Sequence, residues 1–137
     1  MSDSAESIVE AFVRAINRQD ANALAELMSD GHRFVDALDH AVEGREAMRA
    51  GWKGYFGMVP DYTIAVDETL CDGPVVVLLG TAQGTYAGGG DVLPENFWKI
   101  PLAVRAFVAD GKVSEWRVYA DNEPMRRLMA KARPSSQ

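Results

Sequence analysis

Asp36 interrupts an apolar run, Phe34-Val35-Asp36-Ala37-Leu38. A carboxylate turned into an apolar pocket is hard to ionise. Desolvation lifts its pKa toward the range of a general base at neutral pH. The competing role is structural, with Asp36 capping the loop that follows or pairing with an arginine. His32 and His40 flank this segment, and Asp39 adjoins His40. Imidazole beside carboxylate makes an acid–base pair. The spacing matches no metal motif, so no metal is expected. A loop histidine is most simply a solvated one. Asp121 lies just ahead of Asn122-Glu123-Pro124, where an Asp also makes a good helix N-cap. Asp121, Tyr119 and His40 are the candidate proton donors to partner Asp36. Cys71, the only cysteine, sits in the turn-like Leu70-Cys71-Asp72-Gly73. No histidine is near enough in sequence to activate it.

The aromatic set is Phe12, Trp52, Tyr55, Phe56, Trp98, Trp116 and Tyr119. In a domain this size many such residues are simply core. Ligand pockets, however, are lined by apolar and aromatic walls around a few polar groups. The first four of these, with Trp98 and Trp116, are the candidate substrate-binding residues. Strand alternation puts Trp116 and Val118 on one face of the last strand, and Arg117, Tyr119 and Asp121 on the other. Only one face can meet a pocket unless a bulge intervenes, and the sequence leaves the choice open. The stretch 87–97, with Gly88-Gly89-Gly90, joins strand to strand and lacks a phosphate-binding lysine. It reads equally as a flap over a pocket or as an ordinary hairpin loop.

Something must position these groups. Ser4 to Arg18 carries Ile8, Val9, Phe12, Ala15 and Ile16 at helical spacing, with Asp3 and Glu6 as a capping pair. A second helix opens on Asp20 and closes near Ser29-Asp30-Gly31. His32 to Leu38 reads as a short strand, with Phe34 and Asp36 on one face. Gly44-Arg45-Glu46 opens a third helix bearing Met48, Trp52, Tyr55 and Phe56, and Pro60 ends it. The second half is strand-like: Tyr62 to Leu70, Val75 to Tyr86, Phe97 to Ala109 and Lys112 to Ala120. Asp72-Gly73 and Asp110-Gly111 are turn signals. Pro101 implies an edge or a bulge. A short helix, Pro124 to Ala132, ends the ordered chain. Its Arg126, Arg127 and Lys131, with Arg133 beyond, read as a solvated face that suits the helix dipole. Three helices on one side of a curved antiparallel sheet give an α+β cone with an internal pocket. The expected organisation is one domain over 1–132 and a frayed tail over 133–137.

The totals narrow the function classes. With 137 residues, 47% hydrophobic and 25% charged, the chain can bury a core without disulfides or metals. A net charge of −6 repels phosphate backbones, so nucleic acid is not an expected partner. No segment approaches ~18 consecutive apolar residues, so no membrane span is expected. The acidic start, Met-Ser-Asp-Ser-Ala-Glu, is neither signal peptide nor anchor. One cysteine suits a reducing, cytoplasmic setting.

Three stretches carry a family resemblance: the first helix and its break, residues 9–20; the loop Val42-Glu43-Gly44-Arg45-Glu46-Ala47-Met48; and the final hairpin strand, residues 110–121. In these the chain resembles the nuclear transport factor 2-like superfamily, and within it the SnoaL-like and ketosteroid-isomerase-like branch. The likeness covers residues 5–130. It implies a cone with its mouth between sheet and helices, and a homodimer through the sheet. Ketosteroid isomerases place a carboxylate base on the first short strand, where Asp36 stands. Their oxyanion donors match Phe12 and about Ala103, neither of which donates a side-chain hydrogen bond. In limonene-epoxide-hydrolase relatives the late-strand Asp corresponds to Val118, and the middle-strand Arg and Asp fall in Val77-Leu78-Leu79-Gly80-Thr81, which has neither. The polyketide-cyclase acid/base has its nearest match in Asp121.

Three readings follow. The first is a cofactor-independent isomerase, cyclase or dehydratase acting on a hydrophobic small molecule, with Asp36 as base. The second is a binding module without turnover. The third is an assembly domain, which requires a filled cone.

Overall fold

A computed structural model describes residues 4–87 and 92–132. Ser4 caps the first helix, its side-chain oxygen accepting from the Ser7 N–H at 3.1 Å. The expected partner Asp3 lies outside the described residues. Helix α1 (Ala5–Asn17) buries Ile8, Val9, Phe12, Ala15 and Ile16, the stripe its spacing predicts. Gln19, at φ 61°, turns the chain. Asp20 then caps α2 (Ala21–Glu26), accepting from the Ala23 N–H at 3.0 Å.

The second helix ends earlier than Ser29-Asp30-Gly31 suggests, and strand β1 runs Met28–Val35. The reason is tertiary. Met28 is fully buried and pairs with Val113, and the pairing register shifts between Met28 and Arg33. The turn-prone residues are absorbed in that irregularity. Beyond Val35 the chain forms a tight loop, closed by an Asp36 N–H to His40 carbonyl bond of 2.9 Å. Strand β2 (Ala41–Glu43), too short to foresee, returns antiparallel to β1. Helix α3 (Arg45–Met58) buries Met48, Trp52 and Phe56.

The remaining strands are β3 (Thr63–Asp72), β4 (Val75–Thr85), β5 (Phe97–Ala109) and β6 (Lys112–Tyr119), followed by α4 (Glu123–Ala132). The β5–β6 turn has Asp110 at φ 53° and Gly111 at φ 75°, the two left-handed residues of a type I′ turn. The sheet order is β2-β1-β6-β5-β4-β3. Every pairing is antiparallel except β1 with β6, which is parallel. The sheet is therefore mixed, which corrects the all-antiparallel expectation. Pro101 lies beyond the last β5–β6 rung, Ala103 with Tyr119, so on that side it is at a local edge.

Along β5 every second residue is buried, so one face of the sheet carries the core. Two irregularities bend it. One shifts β3 against β4 between Val66 and Glu68. The other shifts β5 against β6 between Phe107 and Val108, where the Ser114 hydroxyl donates to the Phe107 carbonyl at 3.0 Å. Val113 and Trp116 are both buried although three residues apart. The extra residue reverses the alternation, and so puts Trp116 inside and Tyr119 outside. Among the described residues no helix is long and apolar enough to cross a membrane.

Candidate functional site

A cavity of about 510 Å³ lies between the inner face of the sheet, α3 and α4. The sheet contributes Ala82, Trp98, Ile100, Leu102 and Val104, with Trp116 and Val118 beside them. Helix α3 adds Met48, Trp52, Tyr55 and Met58, and α4 closes the far side with Met125 and Met129. Charge is confined to Asp36 and Arg126, with Asn122 as the neutral polar neighbour of Arg126 on the α4 segment. Thus Asp36, Trp52, Tyr55, Trp98 and Trp116, among the candidate residues, line one cavity.

Asp36 does two jobs. The residue lines the cavity, and its Oδ1 accepts from the Leu38 and His40 N–H groups at 2.9 Å each. The side chain is 39% exposed, so it is not the desolvated carboxylate the apolar run implied; it sits at a wet rim. The His40 Nδ1 lies 3.5 Å from Asp36 Oδ2, with its own side chain 74% exposed. His40 is therefore outside the cavity. Among the described residues no arginine pairs with Asp36. Arg117 instead holds the loop through Asp39 at 3.0 Å.

Four other expected residues stand elsewhere. Tyr119 is half exposed on the outer face, across from Ala103, because the Ser114 bulge fixes that parity. Asp121 caps the last helix, accepting from the Glu123 N–H at 3.0 Å. It borders a separate shallow depression with Lys99 and Arg127. Phe12 is fully buried behind the wall, 4.5 Å from the Trp116 ring centroid. Phe56 is buried next to Trp52 at 5.5 Å and likewise does not reach the cavity. At the second isomerase position, Ala103 faces out, and its neighbours Leu102 and Val104 meet the cavity. Of the stretch 87–97, read equally as a flap or a hairpin loop, residues 88–91 lie outside the described residues, as does the tail 133–137; its later part forms a single 3-10 turn, Pro94–Asn96.

Several wall residues were not foreseen. Tyr62 shares the inner face with Ile64 at the head of β3; its alternation with Ile64 was the available signal. Asn122, Met125, Arg126 and Met129 follow helical spacing, and this apolar–polar stripe was hidden within a helix read as a basic solvated face. Burial pushes the Tyr55 and Tyr62 hydroxyls above their ordinary value of 10.0, so both are neutral donors at any working pH. The Tyr55 hydroxyl reaches Met125 Sδ at 3.6 Å. The indole nitrogens of Trp52 and Trp98 are buried without a hydrogen-bond partner among the described residues.

His32 is fully buried, its Nδ1 2.7 Å from the Val113 carbonyl oxygen. The carbonyl only accepts, so Nδ1 carries the proton. Nε2 has no partner. Burial lowers the His32 pKa, against smaller raising effects from that bond and from Glu115. Among the described residues no three His, Cys, Asp or Glu side chains are grouped to hold a metal ion.

The model of the SnoaL-like domain matches residues 9–116, and the chain belongs to that family. Solved structures share the fold. One, named as a SnoaL-like polyketide cyclase from Shewanella denitrificans OS-217, is 16% identical over 93% of this chain and 97% of its own, with TM-score 0.79. A protein of ketosteroid isomerase-like fold from Catenulispora acidiphila DSM 44928, in complex with trimethylamine, is 19% identical over 93% and 97%, with TM-score 0.78. An LEH-like epoxide hydrolase from M. tuberculosis is 18% identical over 93% and 90%, with TM-score 0.75. A search of curated proteins finds no match. At these identities the likeness is one of fold, which in this architecture hosts different reactions.

Proposed function

We propose that the domain holds a hydrophobic small molecule in this cavity and that Asp36 acts on it as a general base, in a cofactor-free isomerisation, cyclisation or elimination. The observation that carries the reading is that Asp36 is the one acidic residue among those lining a mainly apolar cavity. The body of the ligand lies among the aromatic rings and its reacting carbon at the rim. His40, 3.5 Å behind the carboxylate and open to solvent, offers the abstracted proton a way out. Negative charge developing on the ligand meets Asn122 and Arg126, which take the part of the donors missing at Phe12 and Ala103.

The test is a thermal-shift screen of hydrophobic ketones, epoxides and polycyclic fragments on wild type and Asp36→Asn. A ligand at 100 times its Kd stabilises by about 2.7 kcal/mol, several degrees in Tm. Asp36→Asn is expected to keep binding but lose at least ~100-fold in turnover. Equal turnover in the variant would remove Asp36 from the reaction. A second reading, binding without chemistry, is favoured by the engagement of Asp36 Oδ1 with two loop amides. It predicts a ligand recovered unchanged after long incubation. The cavity weighs against the assembly-domain reading, which needed a filled cone.

The outer face of the sheet supports a homodimer, because Phe107 and Tyr119 stand exposed there. In that arrangement Tyr119→Glu yields a monomer by light scattering at micromolar concentration. A variant of dimer mass would exclude this face as the interface.

A further inference from the structure

We infer that Arg117, on the face of the sheet turned away from the cavity, is a positioning residue for Asp36: it holds the 36–40 loop through Asp39 and so fixes where the Asp36 carboxylate stands. The inference rests on Asp36 being the base.

Strand β1 ends at Val35, and Val35 pairs with Arg117. Arg117 therefore stands where the chain leaves the sheet. The loop that follows is closed on itself. The Asp36 N–H donates to the His40 carbonyl at 2.9 Å, and the Asp39 N–H donates back to the Asp36 carbonyl at 3.0 Å. Asp36 Oδ1 takes the Leu38 and His40 N–H groups. Asp36 takes part in every one of these bonds, so its carboxylate goes where the loop goes. Residues 38–43 are all exposed, and burial does little to hold the unit in place. The tie is ionic: Arg117 Nη1 donates to Asp39 Oδ1 at 3.0 Å. Asp39 is at φ 67°, a left-handed conformation that aspartate tolerates better than most residues. One residue thus supplies both the turn and the anchoring carboxylate. Arg117 has a second partner, Glu115, at 3.6 Å, which does not belong to the loop. With Oδ1 pinned, Asp36 Oδ2 has only the His40 ring beside it, at 3.5 Å. Oδ2 is the oxygen left to take a proton, and the loop sets its direction.

The probe is 5-nitrobenzisoxazole, a small apolar ring system that a carboxylate opens without a cofactor. The base removes the C3 proton, the C–H electrons form the nitrile, and the N–O bond breaks to leave a coloured phenolate; water then takes the proton from Asp36. Wild type is expected to be faster than Asp36→Asn. Arg117→Ala is expected to lower kcat about tenfold with KM within about twofold, because a misplaced base loses rate rather than binding. Arg117→Lys recovers part of the loss. Asp39→Ala matches Arg117→Ala, and the double variant falls no further, as residues acting in one chain require. Glu115→Gln leaves the Asp39 bond in place and stays within about twofold of wild type. An exposed ion pair contributes little to global stability, so Tm moves by no more than about 3 °C in these variants. An unchanged kcat in Arg117→Ala, with Asp36→Asn slow, overturns the positioning role and leaves Asp36 as base. Losses that multiply in the double variant, or a KM that rises as kcat falls, also overturn it, because Arg117 then acts by another route. A wild type no faster than Asp36→Asn overturns both the base and its positioning residue.

Discussion

Gly80→Ala destabilises the domain by at least about 3 kcal/mol and lowers its Tm by on the order of 10 °C. A Cβ at Gly80 would run into the carbonyl oxygen of Ala65 and lie 3.0 Å from Ala65 C and Val66 Cα. These are backbone atoms of β3 and cannot swing aside as a side chain could. Gly80 pairs with Val66 at the edge of the β3 register shift, so the missing side chain is what lets β3 cross closely over β4 and the sheet curl. Gly31→Ala is the control: its Cβ would meet nothing within 4 Å, and the change should stay within about 0.5 kcal/mol. Urea unfolding of the two variants checks the pair. Equal stabilities would mean that β3 does not approach β4 in this way.

Acidification from pH 7 to pH 5 destabilises the wild type and leaves His32→Asn comparatively flat. His32 is buried and neutral, and its folded pKa lies below the ordinary 6.5. Above 6.5 neither state takes up the proton and stability does not vary through this group. Below 6.5 the unfolded chain binds a proton that the native state refuses. Stability then falls until the folded pKa is passed, with a slope approaching about 1.4 kcal/mol per pH unit. Asparagine keeps a donor for the Val113 carbonyl and cannot titrate. It costs stability through the smaller side chain, but the pH-dependent part disappears. Glu115, the nearby charge, offsets some of the burial effect. Chemical denaturation at three pH values on both proteins decides it. Parallel curves for the two would clear His32 of any part in it.

Elements with local signals were legible. The stripe from Ile8 to Ile16, the Asp20 cap, the aromatic face of α3 and the Asp110-Gly111 turn each carry their instruction within a few residues. What the sequence hid depends on distant partners. Met28 begins a strand because Val113 is there to receive it, against the helix-stop reading of Ser29-Asp30-Gly31. The parallel pairing of β1 with β6 leaves no local mark. The side on which Tyr119 falls is decided by one extra residue at Ser114, and a period-2 count cannot see it. Among the residues that line the cavity, Asp36 was singled out because a carboxylate in an apolar run stands out. Tyr62 and Arg126 were passed over because an aromatic at a strand head and an arginine on a terminal helix look ordinary until the sheet and α4 face each other.

The parallel β1–β6 pairing also sets an order of assembly. The first strand is made early, yet its partner lies some 80 residues later, as the bond from His32 to Val113 shows. During vectorial synthesis the β3–β4–β5 meander can zip hairpin by hairpin as it emerges. Met28, His32 and Val35, all fully buried in the finished domain, must meanwhile wait with no sheet to join. Pairings so far apart in sequence are slow to close. The N-terminal edge is thus the last piece laid, and it is the exposed surface a chaperone would meet on the nascent chain.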